Sequence, residues 1–116
     1  MSAGCSDGHG GASFHEALSK AESPESILRE VLKRGRGETV PDQWQYQILA
    51  RILKDHRVIM YAPECPRELL ESMKLEVAGT PEEALHKAFS YVGPKGQVAV
   101  IPEGVSVIPV RKKREA

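Results

Sequence analysis

At 116 residues, with 41% hydrophobic and 28% charged side chains, the chain has the composition of one globular domain that buries roughly two-thirds of its unfolded surface. Lysine and arginine balance aspartate and glutamate, 16 against 16, which removes the bulk attraction that nucleic acid or an anionic membrane exploits. The longest apolar runs, residues 58–62 and 98–101, fall far short of the ~20 residues of a membrane helix, and residues 1–11 lack the basic start and apolar stretch of a secretory signal, so a cytoplasmic protein without nucleic-acid or membrane partners is expected.

In chain order, a glycine-dense turn comes first, Gly4-Cys5-Ser6-Asp7-Gly8-His9-Gly10-Gly11, and it runs directly into helical spacing. Ser13 and Glu16 have the form of a capping box, which predicts a short helix from Phe14 to about Ala21 with Phe14, Ala17 and Leu18 on its apolar face. Ser23 before Pro24 and Glu25 repeats the start signal, and Ile27, Leu28, Val31 and Leu32 follow at helical spacing until Gly35. Lys33, Arg34 and Arg36 gather where the helix dipole favours cations, which weighs against reading them as phosphate ligands. Thr39, Pro41 and Asp42 open the longest predicted helix, in which Trp44, Ile48, Leu49, Ile52 and Leu53 make one apolar stripe ending near Asp55 or His56.

Residues 57–62, with Val58, Ile59 and Met60 in succession before Pro63, read as a strand buried on both faces. Pro66 begins a short helix carrying Leu69, Leu70 and Met73, and residues 74–78 are a second strand candidate. Gly79, Thr80 and Pro81 then turn the chain into a helix with Thr80 and Glu83 as its capping box and Ala84, Leu85, Ala88 and Phe89 facing the core. After a break at Gly93, Pro94 and Gly96, residues 97–101 and 105–110 read as two further strands around a turn at Pro102, Glu103 and Gly104. Helices alternating with strands predict an α/β domain over residues 1–110, a three-layer fold with a mostly parallel sheet covered by helices. Residues 111–116 are expected to be a basic, disordered tail. Right-handed crossovers put the helices starting near Pro66 and Pro81 on one face, unless the strand order reverses between them. In such folds a glycine-rich loop follows the carboxyl end of a buried strand; only three residues precede this one, so the domain is expected to lack its first strand and to belong to a larger protein.

Four groups of residues invite chemistry. The turn before a helix amino terminus has the backbone freedom to hold an anion, although Gly8, Gly10 and Ser13 fit the dinucleotide pattern G-x-G-x-x-G only in part. Cys5, His9 and His15 are imaginable metal ligands, but Cys65, His56 and His86 are scattered without the paired spacing of a structural zinc site, and no metal is expected. Cys5 with His9 as its base is an equally incomplete nucleophile, since no third group orients the histidine; both Cys5 and Cys65 are expected to be reduced thiols. Trp44 is either a core anchor in phase with Ile48 and Ile52 or, from the first turn of its helix beside Asp42 and Gln43, a cleft residue whose indole N–H donates to a ligand.

Two segments, Cys5-Ser6-Asp7-Gly8-His9-Gly10-Gly11 with Phe14 and Val40-Pro41-Asp42-Gln43-Trp44 with Ile48, Ala50, Arg51 and Ile52, together resemble the carboxyl-terminal domain of nickel-dependent lactate racemases. The likeness continues through His56-Arg57-Val58-Ile59, the helix at residues 81–88 and the run from Val100-Ile101-Pro102-Glu103-Gly104 to Val105-Ser106-Val107-Ile108, nearly the whole chain. The resemblance implies an enzyme that interconverts stereoisomers of lactate or a related 2-hydroxy acid by hydride transfer to a nickel pincer nucleotide, held between two α/β domains. It further implies that a lysine and histidines of an amino-terminal domain, the partner in cis or in trans, hold the cofactor and serve as acid and base. Among the residues here it carries over only Trp44, through Pro41-Asp42-Gln43-Trp44, as a substrate-pocket residue; it assigns no catalytic residue, cofactor contact or metal ligand. The isolated chain is therefore expected to bind no cofactor and to be inactive, contributing one wall of the active site. A freestanding binding or interaction module, using its turn and an open sheet edge for β-addition or dimerisation, is the alternative. A phosphate-binding loop of a nucleotide-binding protein is a third reading.

Overall fold

In the computed structural model, which describes residues 1–112, the elements follow as α1 (Ala12–Lys20), α2 (Pro24–Lys33), α3 (Gln43–Asp55), β1 (Ile59–Met60), α4 (Arg67–Ser72), β2 (Glu76–Val77) and α5 (Pro81–Val92). Local signals set most of these limits. Ser23 caps α2 reciprocally with Ser26: its hydroxyl accepts from the Ser26 amide, and the Ser26 hydroxyl accepts from the Ser23 amide, both at 3.2 Å. Thr80 Oγ1 accepts from the Glu83 amide at 3.1 Å, whereas the Glu83 carboxylate reaches past Thr80 to the Gly79 amide at 2.8 Å. The expected box at Ser13 and Glu16 does not form. Helix α1 starts at Ala12, with Gly11 as its cap, which puts Ser13 inside the first turn; its hydroxyl donates to Pro41 O and to Asp42 Oδ2.

The sheet is parallel throughout its short length. Ile59 and Met60 pair with Glu76 and Val77, and on the other side of β1 Ser2 bridges Tyr61. Residues 1–3 thus stand where a strand delivers the glycine-rich turn: Met1 O accepts from the Tyr61 amide at 2.8 Å and the Ala3 amide donates to Tyr61 O at 3.0 Å. Met60 faces a core shared with Leu18, Ile27, Val31, Tyr46 and Ala50, while its neighbours Ile59 and Tyr61 point to the opposite face, beneath Ala84, Leu85 and Ala88 of α5. Helix α4 contributes Leu70 and Met73 to the first core, and Ser72 touches His15 of α1. The sheet is therefore sandwiched between α1–α4 and α5; α4 and α5 lie on opposite faces, against the expectation of one face, and among the described residues no strand follows α5 to complete a second crossover.

Three expectations are corrected. Residues 97–101 and 105–110 are not strands: among the described residues no strand pairs with them, the Ser106 amide closing only a local turn on Glu103 O at 2.9 Å, and Val100 and Val105 are 83% and 104% exposed. The apolar stripe of α3 is rotated, with Tyr46 and Ala50 buried and Trp44, Ile48 and Ile52 exposed; Tyr46 is tolerated inside because its hydroxyl accepts from Arg34 Nη1 at 2.6 Å. No residue of α5 is buried, so the predicted core contact of Ala84, Leu85, Ala88 and Phe89 is only partial. Residues 113–116 of the predicted tail lie outside the described residues. Among the described residues no helix is long and apolar enough to cross a membrane.

Polar groups fasten α5 where apolar burial does not. Tyr91 OH donates to Glu76 Oε2 at 2.7 Å, Arg57 Nη1 donates to Glu76 Oε1 at 3.1 Å and lies 4.0 Å over the Tyr91 ring, and Lys87 Nζ donates to Val77 O at 2.7 Å. The Tyr91 hydroxyl, and after it Arg57 working against burial, hold the Glu76 carboxyl below its ordinary 4.5. A depressed carboxyl pKa stabilises the fold above the unfolded value and loses that stabilisation as pH falls through the folded value. Glu76→Gln is expected to cost on the order of 1 kcal/mol near neutrality, and its melting curve is expected to merge with that of the parent at about pH 3; thermal denaturation across this window checks both. Leu18, fully buried at 0% exposure, is the opposite kind of anchor. Leu18→Ala is expected to cost about 2–5 kcal/mol in urea denaturation.

Candidate functional site

The carboxyl ends of parallel strands are where α/β domains present ligands, because loops there are free to vary while the sheet holds their roots. Here the glycine-rich turn leaves residues 1–3 at that end. Cys5, Gly8 and Gly10 all have left-handed backbones, with φ of 56°, 75° and 80°, and the Gly8 amide donates to Cys5 O at 3.0 Å to close the first bend. Only glycine takes such angles without strain, so the two glycines give the turn its compact form. Cys5 carries strain of the kind that persists only when surroundings enforce it.

The turn is held against the start of α3. A methyl group on Gly11 would sit 2.1 Å from Asp42 Oδ2, and that same oxygen accepts the Ser13 hydroxyl at 2.8 Å. Asp42 caps α3 from a left-handed backbone, φ 62°, and makes no side-chain bond to its own helix. Its carboxylate works across the domain, joining the amino termini of α1 and α3. Trp44 follows in the first turn of α3, 66% exposed, and is therefore not a core anchor. Arg34 steadies the other side of this helix start through Gln43 Oε1 at 2.8 Å, Tyr46 OH, and Glu30 Oε1 at 2.7 Å. The hydrogen bond it donates to the Tyr46 hydroxyl is the main reason its guanidinium pKa rises. The basic residue singled out by sequence is thus a tie between helices.

The histidines of the turn come together, but not as a catalytic set. His9 and His15 stack with ring centroids 4.7 Å apart, and His15 Nε2 meets Ser72 Oγ at 3.0 Å. Ser72 spends its proton on Leu69 O, so the network assigns the Nε2–H tautomer to His15. His9 Nδ1 is buried without a partner, and no hydrogen bond joins His9 to Cys5 among the described residues. Burial, and then the neighbouring Cys5, push the Cys65 thiol up, the direction of an inert thiol. Both cysteines are free. Among the described residues, no three of His, Cys, Asp and Glu gather in a manner suited to a metal ion.

A groove of about 870 Å³ lies elsewhere, between α2 and α3, with Leu32, Ile48, Ile52 and Arg51 among its walls. Sequence reasoning missed it by assigning Ile48 and Ile52 to the core. It also missed Asp42 as the link between segments, because a carboxylate at a helix start reads as a local cap and its partner Ser13 also reads as one.

The class these features define is an α/β domain whose strand ends carry a glycine-rich turn locked to a tryptophan-bearing helix. The chain belongs to the lactate racemase C-terminal domain family, whose pattern it matches over residues 1–109. It is 44% identical over 113 residues to a lactate racemase of Thermoanaerobacterium thermosaccharolyticum and 41% identical over 108 residues to one of Lactiplantibacillus plantarum; the matches take in 97% and 93% of the chain but 26% of each relative. The solved apoprotein structure of the Thermoanaerobacterium enzyme superposes with a TM-score of 0.88 at 44% identity, over 96% of this chain and 26% of that one.

If Asp42 is the link, Gly11→Ala displaces its carboxylate. The substitution is expected to cost about 1–3 kcal/mol, and much of that loss is expected to disappear in Gly11→Ala/Asp42→Gly, where the clash is gone and the left-handed cap is relaxed. A double-mutant cycle by chemical denaturation measures the coupling; additive costs would show that the two residues do not meet.

Proposed function

We propose that this domain forms one wall of the active site of an enzyme that racemises lactate or a related 2-hydroxy acid, with the catalytic groups supplied by an amino-terminal domain in cis or in trans. The observation that carries the reading is the exposed Trp44, held beside the glycine-rich turn by Asp42 within a chain of the lactate racemase family. An indole exposed in the first turn of α3 offers an apolar surface and one N–H donor, suited to position a small polar acid and exclude water from it. Such an enzyme would draw its hydride chemistry from a nickel pincer nucleotide. In this reading the chain's own part in that reaction is to shape and close the cleft. A cytoplasmic setting belongs to the same proposal.

The test joins this chain to the amino-terminal part of the Thermoanaerobacterium racemase, loaded with cofactor, and follows lactate by chiral chromatography. Neither part alone is expected to racemise, and the two together are. Trp44→Ala is expected to lower kcat/KM on the order of tenfold or more while leaving the circular dichroism of the domain unchanged, because the side chain is mostly exposed. Turnover by the assembled enzyme that ignores Trp44 would remove it from the site, and nickel-dependent turnover by this chain alone would overturn the division of labour.

A further inference from the structure

The alternation of hydrogen bonds in a parallel strand leaves one question open at the sheet edge. Met1 and Ala3 direct their backbone groups to Ile59 and Tyr61 of the β1 strand run, so the Ser2 amide and carbonyl point the other way. Neither makes a hydrogen bond among the described residues. Beside them runs a groove of about 540 Å³ with Ile59 and Tyr61 on one side, Leu85 and Ala88 of α5 on another, and the extended residues 98–101 beyond. A strand residue in a packed sheet takes roughly 160 Å³, from its rise, strand spacing and sheet separation, so the groove has room for about three residues of added strand.

The apolar run at residues 98–101 bears on what fills it. Val98, Val100 and Ile101 line the groove, yet they remain largely exposed and unpaired, an arrangement that leaves β-prone residues beside an open edge with nothing between them. The chain spans 26% of each racemase it matches, so most of such an enzyme lies outside the match. Sequential strands of an α/β sheet are most often neighbours, joined by right-handed crossovers.

We infer that the edge at Ser2 receives one further parallel strand, apolar in sequence and supplied by the racemase segment that precedes the matched region, and that residues 98–101 close over it. The inserted strand takes the Ser2 N–H and C=O, fills the groove under α5, and gives the apolar run a surface to pack on. This rests on the racemase reading for the identity of the donor and goes beyond it by locating the junction at a sheet edge, away from the Trp44 face.

The probes are overlapping peptides, each of about fifteen residues, covering the roughly forty residues that precede the matched segment in the Thermoanaerobacterium racemase, the length of a strand, crossover helix and return. Amide exchange of the intact 116-residue chain is followed by NMR with each peptide. One peptide is expected to slow exchange at Ser2 at least tenfold and to shift the Val98 and Val100 methyl signals. Ser2→Pro removes the outward amide while sparing the bonds of Met1 and Ala3 to β1, and is expected to weaken binding at least tenfold; Val100→Asp, at an exposed position, is expected to do the same. Absence of protection with every peptide, or equal binding by both variants, overturns the inference. Protection of Ser2 in a peptide-free dimer, seen by sedimentation, also overturns it by giving the edge to a second copy. The racemase proposal is read separately: turnover of the assembled enzyme with Ser2 still unprotected sinks strand insertion alone, and protection without turnover sinks the racemase reading alone.

Discussion

The ladder through β1 aligns three consecutive runs of backbone in one direction. Residues 1–3 bond to Ile59 and Tyr61 on one side, and Val58 and Met60 accept from the Glu76 and Ala78 amides on the other. Because all three run parallel, their carboxyl ends emerge together, and the loops that leave them, including the glycine-rich turn, are forced onto one rim. Parallel strands also require long returns. Those returns are α1–α3 and α4, which bury the Met60 face and leave the opposite face to α5 alone. The site at the rim and the thin cover beneath α5 are consequences of the same pairing.

What the sequence disclosed was local. The reciprocal cap at Ser23, the one-way cap at Thr80, the start of α3 after Asp42 and the centres of both strands follow from residues within a few positions of one another, and such signals survive folding when nothing distant competes. The α/β class and the family were legible for the same reason. Ser13 shows the limit. The expected box had its hydroxyl accepting from the Glu16 amide, but the helix begins before Ser13 and the hydroxyl donates to a carboxylate from residue 42, which only the tertiary structure brings near.

Residues 97–110 failed for a different reason. Alternating valine and isoleucine describe a backbone that prefers extension and a surface that wants burial, but a strand exists only when another strand answers it. Among the described residues no strand answers these runs, residues 102–106 turn, and the valines stay exposed, so β propensity alone did not make a strand. The stripe on α3 was misread because hydrophobicity alone cannot rank Tyr46 against Trp44. Arg34 decides it by satisfying the tyrosine hydroxyl, which lets the smaller aromatic turn inward and leaves the indole outside.

That rotation connects stability with the proposed role. A helix whose core face was Trp44, Ile48 and Ile52 would hide the indole and present Tyr46 and Ala50 to the cleft. The observed setting has the reverse, and two polar contacts enforce it: Arg34 on Tyr46 fixes the helix about its axis, while Asp42 on Ser13 fixes its amino terminus against the turn. Together the two bonds determine which aromatic side chain of this helix faces solvent and which faces the core. The left-handed backbone of Asp42 belongs to this arrangement, since a right-handed helical entry there would redirect the carboxylate that joins α3 to α1. The tryptophan is thus exposed by design of its neighbours, and its placement beside the glycine-rich turn depends on the close approach that only a residue without a side chain, Gly11, permits.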